Sequence, residues 1–180
     1  ENKYTVELII MNRTPQYLGE KLKREVKIHY VPERIKNPLG YNCRVNEIVK
    51  KGNYDILWCN FCTLSDITWL KAAKKYGIPV RIAHSHNSEN MGSKLVLISH
   101  LQHKKAISKY VTHFFACSDV AGKFMFGDNI VKQNNYCLIN NAIETDKYSY
   151  NENIRMKTRL DLKISDKIVI TNVGRFHFQK

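Results

Sequence analysis

The chain reads as an α/β protein built on a doubly wound, mostly parallel sheet. Three observations predict this. Short apolar runs and longer segments with helical spacing alternate from end to end. The run from Ile56 to Cys59 is continuous rather than alternating, as in a parallel strand covered on both faces. Gly and Asn punctuate the joins, at Gly52-Asn53, Gly77 and Asn140-Asn141.

Tyr4 to Ile10 alternates and then runs apolar, which predicts a first strand, broken by Asn12 to Pro15. Leu18 to Arg24 is a helical turn or a loop. Val26 to Val31 alternates again and predicts a second strand, ended by Pro32. Asn37-Pro38-Leu39-Gly40 reads as a turn. Val45, Ile48 and Val49 at i, i+3, i+4 then predict a helix over 41–51. Tyr54 to Asn60 is the third strand. A helix over 67–76 follows, with Ser65 or Asp66 as its cap and Gly77 as its stop. Val80 to Ala83 opens the fourth strand.

Lys94 to Tyr110 predicts a long helix, with Ser88 as a candidate cap. Leu97, Leu101, Ile107 and Val111 mark its expected buried face. His100, His103, Lys104, Lys105 and Lys109 make the expected outer face basic. Val111 to Cys117 is a strand, and Ser118-Asp119 cap a short helix ending near Gly127. Tyr136 to Ile139 is the sixth strand. Asn151 to Leu162 is a helix of irregular spacing, and Lys167 to Val173 the last strand. Residues 1–143 form the first domain in this reading. Residues 144–153 link it to a second domain that begins at 154–180.

The composition narrows the function. Of 180 residues, 43% are hydrophobic and 25% charged, so the chain is neither disordered nor membrane-spanning. Its net charge of +13 suits a polyanionic partner: nucleic acid, an anionic bilayer or a phosphate-bearing substrate. The basic residues are scattered and match no nucleic-acid-binding motif, so nucleic acid is not the expected partner. Five cysteines, an odd count, point to free thiols in a reducing compartment. Cys59-Asn60-Phe61-Cys62 is a lone CxxC. It admits a redox pair, a zinc site completed by His84 and His86, or two packed thiols. The expected metal is none.

The stretch richest in chemistry is His84-Ser85-His86-Asn87, at the end of the fourth strand. In open α/β sheets ligands bind just beyond the carboxyl ends of the strands. The same residues also suit a polar loop leading into a helix.

That stretch, together with Ala116-Cys117-Ser118, Ile139 to Tyr148, and Val173-Gly174-Arg175 with Lys180, resembles group-1 glycosyltransferases of the GT-B fold. Bacterial enzymes of capsular or exopolysaccharide synthesis are the nearest likeness. The family's Pro-Asn-Gly-Val-Asp segment reads Asn140-Asn141-Ala142-Ile143-Glu144 here, which keeps the Asn and the acid. The resemblance implies a Rossmann-like acceptor domain lacking its first strand and Gly-rich loop, then the first strand of a donor domain. It implies a retaining, metal-independent transfer from a nucleotide sugar to a lipid-linked or polysaccharide acceptor. No separate cofactor is expected. It places Gly174, Arg175, Lys180, Ser118 and Asn141 on the donor, and His86 or His84 toward the reacting sugar. A diphosphate suits the planar fork of an arginine and the point charge of a lysine. His86 is preferred to His84, on the expectation that one of the two points away. A cytoplasmic protein, peripheral at the inner face of the plasma membrane, is implied, and the fragment alone is expected to be inactive. The rival reading is a basic module that binds nucleic acid or anionic membrane without catalysis.

Overall fold

The structure is a computed structural model, and it describes residues 4–11, 24–90 and 92–173. The chain falls into two units, Glu1–Asn141 and Ala142–Lys180. The expected break at Asn12–Pro15, and all of Leu18–Arg24 except Arg24, lie outside the described residues.

The first unit is an alternation of parallel strands and helices, as the sequence pattern requires. Strands β1 (Glu7–Met11) and β2 (Lys27–Val31) pair in parallel as a two-stranded sheet. Helix α1 (Pro38–Gly52) follows. Strands β3 (Ile56–Phe61), β4 (Val80–Ser85), β5 (His113–Ala116) and β6 (Tyr136–Leu138) form a second, four-stranded sheet in that order. All three of its ladders are parallel. Helices α2 (Thr68–Lys75), α3 (Lys94–Ala106) and α4 (Asp119–Phe126) fill the crossovers. This is the predicted α/β architecture with parallel sheets.

Strand alternation divides the larger sheet into two unlike faces. Leu57, Phe61, Ala83 and Phe114 point into one core with Val45, Ile48 and Val49 of α1, Leu70 and Ala73 of α2, and Met125 and Phe126 of α4. The opposite face carries Ile56, Trp58, Asn60, His84 and Phe115. Trp58 there is half exposed.

Several boundaries differ from expectation, each for a local reason. The turn at Asn37–Gly40 is the start of α1: Asn37 accepts the Gly40 N–H at 2.8 Å, and Pro38 takes the first helical position, which needs no N–H. Asn53 closes that helix in the left-handed region at φ 45°. Ahead of α2, Asp66 accepts the N–H and hydroxyl of Thr68 at 2.9 and 2.6 Å. Gly77, at φ 81°, ends the connection from α2 where a side chain would be strained. The cap of α3 is Ser93, which accepts the Val96 N–H, rather than Ser88. After Ala106 the chain tightens into a 3-10 turn, Ile107–Lys109.

The buried face of α3 also differs. His100, expected outside, is buried; Leu101, expected inside, is half exposed. His100 stacks on Phe124 with ring centroids 4.8 Å apart, and its Nδ1 accepts the Leu64 N–H at 3.1 Å. His103 Nδ1 lies 2.6 Å from the Leu64 carbonyl oxygen. The histidines face inward because the loop after β3 presents free backbone groups that an aliphatic side chain cannot satisfy.

In the second unit a 3-10 turn, Thr145–Tyr148, precedes helix α5 (Glu152–Asp161); Asn151, expected as its first residue, is its cap and accepts the Ile154 N–H at 3.0 Å. The expected strand at Lys167–Val173 does not form. Ile168 and Ile170 are almost fully exposed there, and the segment pairs with no strand among the described residues. Alternating apolar residues make a strand only where a neighbour takes up the ladder bonds.

Candidate functional site

At the carboxyl end of the larger sheet, Asn60, His84 and Phe115 lie level on three adjacent strands, held there by the parallel register. His86 follows β4, and its backbone N–H donates to the Phe61 carbonyl at 3.0 Å. Residues i and i+2 of a strand share a face. His84 and His86 therefore sit side by side, with ring centroids 4.2 Å apart. The expectation that one of them points away is corrected by this geometry. Ser85 is the residue that turns away: it is buried, and its hydroxyl donates to the Ala121 carbonyl at 2.9 Å, tying β4 to α4.

The two histidines have different surroundings. His86 Nε2 is 2.9 Å from Asn60 Oδ1. That oxygen only accepts, so Nε2 carries the hydrogen and Nδ1 is left as an acceptor. His84 is 6% exposed, packed near Trp58 at 5.8 Å and Phe115 at 6.1 Å. Its Nε2 is buried with no protein hydrogen-bond partner among the described residues. Burial first, and the neighbouring His86 second, hold its pKa below the usual histidine value. A neutral imidazole with an unsatisfied nitrogen is costly unless something else meets it. The pair offers hydrogen-bonding nitrogens close to an aromatic wall, the mixture that hydroxyl-bearing ligands use.

Of the other predicted site residues, Ser118 and Asn141 follow β5 and β6 at the same end of the sheet. Ser118 caps α4, accepting the Ala121 N–H at 3.2 Å. Asn141 is exposed in the irregular chain after β6. Gly174, Arg175 and Lys180 lie outside the described residues. Within the CxxC, Cys62 is exposed, while burial pushes the Cys59 thiol up to about 12. That is the opposite of the thiolate a redox pair requires. Among the described residues no group of three or more metal-binding side chains gathers. Sequence reasoning missed Asn60, Trp58 and Phe115 as neighbours of the histidines. Only the strand register brings them level, though Asn60 ends an apolar run as His84 does.

A second polar cluster lies at the other end of the strands. Glu7 Oε2 is 2.6 Å from His29 Nε2 and accepts from the Tyr54 hydroxyl at 2.5 Å; Oε1 accepts from Lys27 at 2.9 Å. These bonds, Tyr54 foremost, hold the Glu7 carboxyl down at about 2. The Tyr54 phenol is pushed up by burial and by Glu7. An adjacent cavity of about 180 Å³ is lined by Lys27, His29, Arg44, Glu47 and Tyr54. Its charges are paired, Glu47 holding Arg44 at 2.7 Å and Lys51 at 3.0 Å.

Among the described residues no helix is long and apolar enough to cross a membrane. No family model matches the chain. No solved structure matches it either. A protein of Bacillus subtilis (strain 168) named "Putative glycosyltransferase EpsF" is 28% identical over 169 residues, an alignment covering 89% of this chain and 43% of that protein. The chain thus spans less than half the length of the relative it matches.

Proposed function

We propose that the chain is the acceptor-side part of a glycosyltransferase that moves a sugar from a nucleotide sugar to a lipid-linked or polysaccharide acceptor. The observation that carries this reading is the His84–His86 pair at the carboxyl ends of parallel strands, with one buried ring nitrogen unsatisfied among the described residues. Ligands of open α/β sheets bind at such ends. Similarity to the Bacillus subtilis protein over 89% of the chain supports the same reaction class.

In this reading His86, oriented by Asn60, accepts a hydrogen bond from a sugar hydroxyl through Nδ1. His84, kept neutral by burial, meets a second polar group of the sugar through Nε2. Trp58 and Phe115 give the apolar wall against which a sugar ring packs. The resemblance assigns the donor diphosphate to Gly174, Arg175 and Lys180, with Ser118 and Asn141 on the same side of the chemistry. Arg175 offers a rigid fork and Lys180 a point charge where negative charge builds on the leaving phosphate. The transfer retains configuration, needs no metal, and takes place at the cytoplasmic face of the membrane. Residues from 144 onward belong to the linker and the start of the donor domain, and the chain by itself turns over no nucleotide sugar.

The test uses the enzyme in its full reading frame. Arg175→Ala lowers kcat/KM by about a hundredfold, the loss of one preorganised charged donor worth about 3 kcal/mol. Arg175→Lys restores only part of it. Calorimetry shows weaker nucleoside diphosphate binding for Arg175→Ala and Lys180→Ala, and near-parental binding for His86→Ala. The reverse pattern sinks the assignment. Tight, salt-sensitive DNA binding without transfer favours the basic-module reading, for which the net charge of +13 speaks.

A further inference from the structure

Two segments leave the candidate site at the carboxyl end of the sheet, and helix α3 ties them together. One runs on from Asn60 and Phe61 into the loop before α2; the other runs from His86 into α3. From α3, Ser99, His100 and His103 reach back to the first segment. Ser99 donates to the Ser65 carbonyl at 3.1 Å, His100 Nδ1 accepts the Leu64 N–H at 3.1 Å, and His103 Nδ1 lies 2.6 Å from the Leu64 carbonyl oxygen. Two histidines thus hold both backbone groups of one residue. The circuit closes where the segments start: Phe61 accepts the His86 N–H, and His86 Nε2 meets Asn60 Oδ1.

The chemistry of that hold is narrow. A carbonyl only accepts, so His103 carries its hydrogen on Nδ1. An amide N–H only donates, so His100 is neutral with its hydrogen on Nε2, which is buried without a hydrogen-bond partner among the described residues. A second proton on His100 must go to Nδ1, and there it meets the Leu64 N–H, donor against donor. The ring is 1% exposed and stacked on Phe124, so water does not reach it in place. The charges acting on it come from its own helix, Lys104 and His103. From α4 come the Phe124 ring and the two carbonyls that Lys104 meets, with Asp128 just beyond acting on Lys104. Asp66, the acid of the loop after β3, is turned to Thr68 and Tyr41.

We propose that His100 and His103 are positioning residues for the candidate site: through Leu64 they hold the end of β3, and with it the Asn60–His86 bond, and a proton on His100 releases the hold. The use of the site rests on the transfer reading; the hold itself does not. What the hold sets is the hydrogen on His86. While Asn60 stays in place, Nε2 carries it and Nδ1 is free to accept. With Asn60 loosened, both tautomers populate and the acceptor is lost part of the time. Burial first and Lys104 second hold the His100 pKa below the usual 6.5. The hold therefore stands at neutral pH and fails as pH falls below 6.5.

The experiment reads ring nitrogens and backbone amides of the isotope-labelled full chain by NMR, without turnover. At mildly alkaline pH the parent should carry hydrogen on Nε2 of His86 and His100 and on Nδ1 of His103. His100→Leu should leave His86 a mixture of tautomers. His100→Asn, whose amide oxygen sits at the same position along the side chain as Nδ1, should restore the parental His86 and abolish the acid response. In the parent, exchange of the Leu64 amide should speed up about tenfold, beyond its ordinary pH trend, as His100 gains its proton. That arm needs no variant, so it decides the matter if His100→Leu fails to fold. A parental His86 tautomer in folded His100→Leu overturns the proposal, as does Leu64 exchange indifferent to the His100 titration. In the full reading frame His100→Leu should lower kcat about tenfold with KM little moved, and His100→Asn should recover most of the loss. The tautomer change without any glycosyl transfer supports the hold and sinks the transfer reading alone.

Discussion

Two polar clusters stand at opposite ends of the parallel strands, and they are built on opposite principles. At the amino ends, Glu7 satisfies Lys27, His29 and Tyr54 together, and each of these groups has a named partner. At the carboxyl ends, His84 and His86 crowd each other, His86 bonds to Asn60, and His84 Nε2 is buried without a hydrogen-bond partner among the described residues. The first arrangement stabilises the fold. The second keeps an unmet hydrogen-bonding group in place, which is useful only if a ligand meets it. An unmet buried group alone does not mark a site, for His100 Nε2 is another among the described residues; what sets His84 apart is its place at the carboxyl ends of the strands.

The largest expected effect tests the functional end. In the full reading frame, His86→Ala and His84→Ala should each lower kcat/KM by roughly a hundredfold, about 3 kcal/mol of transition-state stabilisation. His84→Ala also leaves a cavity beside Trp58 and Phe115, so its melting temperature should fall somewhat, the loss being reduced because an unsatisfied nitrogen is removed with the ring. Undiminished turnover in either folded variant would erase the distinction. Next comes the structural end. Glu7→Gln keeps the shape and removes the charge, and should cost about 2 kcal/mol of stability by denaturant unfolding with transfer unchanged. Loss of activity without loss of stability would make the amino-end cluster a second functional site.

The two clusters also titrate in different pH ranges. Glu7 has a depressed carboxyl, so its stabilisation is complete above about 4.5 and is lost as pH falls toward about 2. Solvent at its edge limits the loss to roughly 1–2 kcal/mol. His84 has a depressed imidazole, so folding is undisturbed above the ordinary value of 6.5 and weakens as pH falls below it. Buried His100 titrates in the same direction, beside Lys104 and His103. His84→Gln should therefore remove part of the loss between neutral and mildly acidic pH, and Glu7→Gln the separate loss at lower pH. Thermal midpoints across pH that show one merged transition, unchanged by either variant, contradict the assignment.

Much of the fold was legible because the apolar-rich segments at Tyr54–Asn60, Val80–Ala83 and Val111–Cys117 are short and bounded by turn residues. The expected cover on both faces is not met on β3, where Ile56 and Trp58 are about half exposed. Caps were half legible. Ser118 acts where its position suggested, yet Asn37 was hidden behind a Pro-Leu-Gly sequence that equally suits a turn, and Asn151 was read as part of the helix it caps. The outward leucines of α3 were not legible, because periodicity finds a stripe but not the partner it faces. There the deciding factor was the backbone of Leu64, thirty-six residues from His100, and no local pattern reports it. The site was legible as a cluster along the chain and illegible across it. Asn60, His84 and Phe115 are level only because three strands pair in one register.

That register has a consequence for how the protein is made. Every ladder among the described residues is parallel, and β3, β4 and β5 each pair with a strand more than twenty residues away. Such pairings close long loops before they are rewarded, so folding is slow relative to a helical bundle of equal size. On a ribosome the strands bearing Asn60 and His84 emerge before Phe115, so β4 can meet β3 first and waits only for β5. The wall that Phe115 gives the histidine pair is therefore the last side of that cluster to be set.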